Sequence, residues 1–116
     1  MREAMSHVLS DMLLRGDVDF ILCYDVPDTP QIARNALLQD DLVLVSRPGP
    51  NASKPISLIE ALEEGLAMPE EGDTVRNAVS RAARDLGLDL KIAYEVRSVA
   101  AMKSLVQRAA AASILP

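Results

Sequence analysis

The sequence predicts an α/β domain with a mainly parallel sheet, and three observations carry that prediction. Stretches with helical spacing alternate with short apolar runs along most of the chain, a pattern that requires crossover connections between neighbouring strands. Several of the apolar runs are continuous rather than alternating, as strands covered on both faces are. Helix start and stop signals fall between the runs, at Gly16, Ser57, Gly65, Asp73, Gly87 and Ser98. At 116 residues the chain fits one domain or less.

The elements follow in order. Met5, Val8, Leu9, Met12 and Leu13 fall at i, i+3, i+4, i+7 and i+8, one face of a helix that Arg15 and Gly16 close. Residues 18–24 read as a strand buried on both faces, broken by Pro27 and Pro30. Residues 32–38 are a weaker extended segment, and residues 42–45 a strand. The 48–53 stretch, Pro-Gly-Pro-Asn-Ala-Ser, is the one linker-like passage. Ser57 with Glu60 forms a capping box for a short helix closed by Gly65. Leu66, Ala67 and Met68 make a brief buried strand ending at Pro69. Asp73 or Thr74 caps the next helix, whose stripe is Val75, Ala78, Val79, Ala82 and Leu86 before Gly87. Leu90, Ile92, Tyr94 and Val96 alternate with polar or small residues, so residues 89–97 read as a strand. Ser98 caps a last helix carrying Met102, Leu105, Val106 and Ala109, and residues 113–116 begin a final strand.

Composition narrows the chemistry. No apolar run approaches the ~20 residues a membrane helix needs, and the first residues carry charge instead of an apolar signal segment. The expectation is a cytoplasmic protein. Twelve basic against seventeen acidic side chains give a net charge of −5, opposite in sign to a nucleic-acid binder. One cysteine and one histidine cannot assemble a metal cluster, and no phosphate loop, catalytic triad or carboxylate pair is legible. No cofactor, metal or catalytic residue is expected. Cys23 reads as a core thiol, and His7 as a residue on the polar side of its helix. Glu63, Glu64, Glu70 and Glu71 read as solvated surface. A receiver-like domain phosphorylated on Asp25 would need an acidic pair and a lysine that the sequence does not supply.

In open α/β sheets ligands bind beyond the carboxyl ends of strands. Three junctions qualify here: Tyr24-Asp25-Val26, the passage from Pro69 to Arg76, and Arg97-Ser98-Val99. The second and third open helices, whose free amides and positive dipole end favour an anion. Arg76 in the first turn could add a charge-assisted contact, whereas Glu70, Glu71 and Asp73 would oppose an anion unless they point away.

The order of motifs resembles the effector-binding domain of LysR-type transcriptional regulators. Ser6, Leu9, Met12-Leu13 and the run Gly16-Asp17-Val18-Asp19-Phe20-Ile21 resemble that family's helix-to-strand junction. Leu37-Leu38 through Leu42-Val43-Leu44-Val45 is similar to its passage into the hinge. Ile56-Ser57-Leu58 with Leu62, Met68-Pro69 with Arg76, and Glu95 to Ser98 with Leu105-Val106 and Ile114-Leu115-Pro116 match later motifs. The spacing is nearest the nitrogen-assimilation-control type.

The resemblance implies a type 2 periplasmic-binding-protein-like fold, two lobes clasping a small molecule, and the helix starts favour an anionic metabolite. It implies an incomplete domain, with a partial first lobe in residues 1–48 and the second lobe in 49–116. The cleft positions it implies are Tyr24, Asp25, Asp73, Thr74, Val75, Arg76, Ser98 and Val99. The family's DNA-binding helix-turn-helix has no counterpart in the chain, so operator binding by this chain is not expected, and self-association is. The family's two glycines near the end appear as Ala109 and Ala111; if the first needs positive φ, alanine there costs roughly 1 kcal/mol. A solute-binding protein for transport shares the fold and is the alternative.

Overall fold

In the computed structural model, which describes residues 1–50 and 52–116, helices and strands alternate as α1 (Ser6–Leu14), β1 (Val43–Val45), α2 (Leu58–Glu63), β2 (Leu66–Pro69), α3 (Thr74–Asp85), β3 (Ile92–Val96), α4 (Val99–Gln107) and β4 (Ser113–Leu115). β2 and β3 run parallel, with Pro69 opposite Val96. β1 and β4 pair antiparallel, with Val43 opposite Leu115. A single parallel bridge from Leu66 to Ala112 ties the two pairs together. The expected parallel sheet is therefore realised as one parallel pair flanked by one antiparallel pair.

β2 is the centre of the core because its residues alternate between two apolar clusters. Leu66 and Met68 pack with Leu62, Val79, Ala83, Ala112 and Ile114, while Ala67 packs with Met5 and Met102. Leu66, Ala67 and Met68 are all fully buried, which matches the continuous apolar run of a two-faced strand. Ser113 is buried among them, and its hydroxyl donates to the Ala67 carbonyl at 2.8 Å, so burial leaves it satisfied.

Local signals set the helix ends. The Ser57 hydroxyl accepts from the Glu60 N–H, and the Glu60 carboxylate accepts from the Ser57 N–H at 3.0 Å. That backbone bond, helped by the Ser57 hydroxyl, holds the Glu60 carboxyl below its ordinary range. Gly16 and Gly87 take positive φ after α1 and α3. Gly65 serves differently: a Cβ there would meet the Ala93 Cβ at 3.3 Å, so it allows β2 and β3 to approach closely.

After α4 the chain turns left-handed on a non-glycine residue. Ala109 has φ 55°, with its N–H on the Val106 carbonyl at 2.9 Å and the Ala110 N–H on the Leu105 carbonyl at 3.0 Å. This is the double bond of a Schellman cap, and a Cβ in that region is strained. Ala109→Gly is expected to stabilise the chain by about 1 kcal/mol, seen as a rise of a few degrees in Tm. An unchanged or lower Tm would show that the turn tolerates alanine without strain.

The structure corrects two expectations. Residues 18–24 and 32–38 form no strand: Phe20 is 86% exposed, and Leu22, Leu37 and Leu38 are also largely exposed. Only Val26 in this region is fully buried. The apolar content is present, but among the described residues no strand lies alongside to supply ladder bonds. The stripe of α3 is also rotated: Val79 and Ala83 are buried and Val75 packs beside them, whereas Leu86 is 53% exposed.

Candidate functional site

The parallel pairing of β2 with β3 brings two strand ends to one edge, and each is followed by a turn and a helix start. Asp73 caps α3, accepting from the Val75 N–H at 2.9 Å and from the Arg76 N–H at 3.4 Å. Ser98 caps α4, its hydroxyl accepting from the Ala101 N–H at 3.1 Å. The Ser98 hydroxyl keeps its proton for another acceptor. Val75 and Val99 are half-buried next to their caps.

Thr74 stands out between these caps. Its hydroxyl oxygen is buried and, among the described residues, has no hydrogen-bond partner. Native structures leave few such groups unmatched, and those they do leave often meet a ligand or water.

Arg76 braces the site instead of facing outward. It is largely buried, its Nη1 donates to the Pro69 carbonyl at 2.8 Å, and it approaches Glu95 at 3.5 Å. The arginine therefore joins the end of β2 to β3 across the strand pair.

A residue that the helical pattern assigned to a polar face completes the cluster. The His7 Nε2 lies 3.0 Å from Glu70 Oε1, and its Nδ1 lies 3.8 Å from Asp73 Oδ2. Glu70 in turn meets Arg97 through its other oxygen at 3.1 Å. Glu70 is thus not solvated surface; its side chain is only 26% exposed. His7 arrives because Met5, just before α1, is buried against Ala67 and Met102 and anchors the first helical turn there. The available sequence signal was an apolar residue immediately ahead of a helix, which fixes where the first turn points.

Of the expected cleft residues, Asp73, Thr74, Val75 and Arg76 stand at the start of α3 and Ser98 and Val99 at the start of α4, after the paired ends of β2 and β3. Tyr24 and Asp25 do not join them through any hydrogen bond or ion pair among the described residues. Asp25 is exposed and pairs with Arg34 at 3.6 Å, within its own segment. The junction at 24–26 follows no strand, so no ladder ties it to the ends of β2 and β3. Burial pushes the Cys23 thiol above its ordinary value, with Arg34 partly opposing, so it stays protonated at neutral pH. A hollow of about 500 Å³ opens at the opposite end of α4, between Ser46, Arg47, Arg108 and Ala109, far along the helix from Ser98.

Parallel strand ends, each followed by a capped helix start, define an α/β domain with two helix N-termini after neighbouring strands. The chain belongs to the LysR substrate binding domain family, which matches it over residues 1–116. Its fold is that of the effector-binding domain of QuiR solved in complex with shikimate, with a TM-score of 0.80 at 22% identity, covering 97% of this chain and 55% of that one. It is 29% identical over 117 residues to the nitrogen assimilation regulatory protein nac of Klebsiella aerogenes, covering all of this chain and 38% of that protein. It is 27% identical over 105 residues to the HTH-type transcriptional regulator BbuR of Bordetella bronchiseptica, covering 89% of this chain and 32% of that protein. The chain thus spans about a third of the length of these curated relatives. Among the described residues no helix is long and apolar enough to cross a membrane.

Proposed function

We propose that the chain is the effector-sensing part of a cytoplasmic LysR-type regulator, and that it binds a small anionic metabolite at the carboxyl ends of β2 and β3 without transforming it. The observation that carries this is the buried, unmatched Thr74 hydroxyl at the start of α3, which follows β2 where that strand pairs with β3. The dipole ends there attract an anion, although Asp73 and Ser98 already take the Val75, Arg76 and Ala101 amides, and the Thr74 hydroxyl lacks the partner such a ligand would supply. Shikimate, bound by the QuiR domain, is the first ligand to try, with other small carboxylates beside it. Asp73, Thr74, Val75, Arg76, Ser98 and Val99 form one wall. Tyr24 and Asp25 would complete the opposite wall once the 18–24 segment gains a strand neighbour.

In this reading residues 1–48 belong to a first lobe and residues 49–116 to a second, with the effector between them. Ligand closure would shift the balance between two subunit arrangements of the regulator, and DNA contact would be made by a helix-turn-helix domain. A binding anion is expected to raise Tm, and Thr74→Val or Ser98→Ala to weaken that rise. A thermal shift that survives both substitutions would place the ligand elsewhere.

The exposed side chains of Phe20, Leu22, Leu37 and Leu38 also support self-association, since covering them with a second copy would remove apolar surface from water. Sedimentation is expected to show a mass that grows with concentration. A monomer at every concentration would refute this part of the proposal alone.

A further inference from the structure

We infer that Glu70 is a built-in stand-in for a ligand carboxylate, holding α1 against the β2–α3 and β3–α4 turns until a hydroxylated carboxylate displaces it. The inference rests on the reading of the strand-end edge as the effector site. The geometry is that of a bound carboxylate: Oε1 faces the His7 imidazole at 3.0 Å and Oε2 faces the Arg97 guanidinium at 3.1 Å. The three groups come from segments far apart in sequence and meet only at this mouth.

Nearby cations are otherwise engaged. The Nη1 of Arg76 is held by the Pro69 carbonyl and faces Glu95. His7 and Arg97 are therefore the pair left to receive an incoming anion, and Glu70 already occupies them. The hold is also releasable. Arg97 is 84% exposed, and ion pairs in contact with water are weak and screened by salt.

Two unmatched atoms beside this position define the rest of the ligand. The His7 Nδ1 and the Thr74 hydroxyl are buried without hydrogen-bond partners among the described residues, and Asp73, which precedes Thr74 in the chain, lies 3.8 Å from that Nδ1. A ligand bearing a carboxylate and a hydroxyl would replace Glu70 on His7 and Arg97 and offer these atoms partners as well. A carboxylate without a hydroxyl would gain only the first.

Calorimetric titration of the full chain with 3-hydroxybenzoate, benzoate and the neutral 3-hydroxybenzamide tests this directly. Glu70→Gln is expected to tighten 3-hydroxybenzoate at least tenfold and to leave the amide unchanged. Glu70→Ala should act in the same direction, and adding Arg97→Gln should remove the gain. Because His7 is the sole histidine, its ring nitrogen signals provide a ligand-free check. Glu70→Gln should shift the Nε2 signal, and 3-hydroxybenzoate should return it toward the wild-type position. Equal dissociation constants in wild type and Glu70→Gln, no carboxylate binding to either, or an unmoved ring signal would each overturn the stand-in role. Binding that is lost in Thr74→Val while indifferent to Glu70 would overturn the stand-in and leave the site standing. Binding indifferent to Thr74 and Ser98 would overturn the site itself.

Discussion

Leu66→Ala is expected to cost about 2–5 kcal/mol, the range for truncating a buried leucine, and to lower Tm by more than about 10 °C. Leu66 is fully buried in β2 and packs with Leu62, Val79 and Ile114, side chains from α2, α3 and β4. Its backbone also carries the bridge to Ala112, so a cavity here loosens the joint between both strand pairs. Leu86→Ala is the matched control. That leucine also lies on the apolar stripe read from the sequence, yet it is 53% exposed, and its loss should cost within about 0.5 kcal/mol. Chemical denaturation of the two variants decides the matter. Equal losses would mean that Leu86 is buried in solution, by a partner or by a different packing of α3.

Asp73→Ala carries the second large effect, about 1–2 kcal/mol. The carboxylate is 3% exposed and accepts two N–H groups at the start of α3. Removing it leaves those donors without a side-chain acceptor at the positive end of the helix. Asp73→Asn should recover most of the loss, because asparagine caps about as well as aspartate. If Asn fails as badly as Ala, charge rather than cap geometry holds α3. His7 would then be the partner to examine, since Asp73 Oδ2 lies 3.8 Å from its Nδ1.

Local chemistry made much of the second half of the chain legible. The Ser57–Glu60 box, the caps at Asp73 and Ser98, and the stop at Gly87 are complete within a few residues, so they form wherever the chain goes. The strand-end rule then pointed to Thr74 and Ser98 because a parallel pair with crossover helices always presents its helix starts at the same edge. The positive φ at Ala109 was legible too, once the resemblance to a glycine-bearing motif had been drawn.

The two missing strands share one cause. A strand is a pairing, not a property of a segment, and residues 18–24 hold the right side chains without a neighbour to bond. For that reason no ladder ties Tyr24 and Asp25 to the ends of β2 and β3. The stripe of α3 missed its phase because spacing fixes a periodicity, while the neighbours fix which side of it turns inward.

By itself the sequence determined where helices begin and end and which turns follow β2 and β3. Those properties depend on residues within one or two turns of each other. Only the tertiary structure decided that His7, Glu70 and Arg97 share a mouth and that the segment near Tyr24 stands apart. Such contacts depend on packing between residues dozens of positions apart, set here by Met5 seated against Ala67 and Met102.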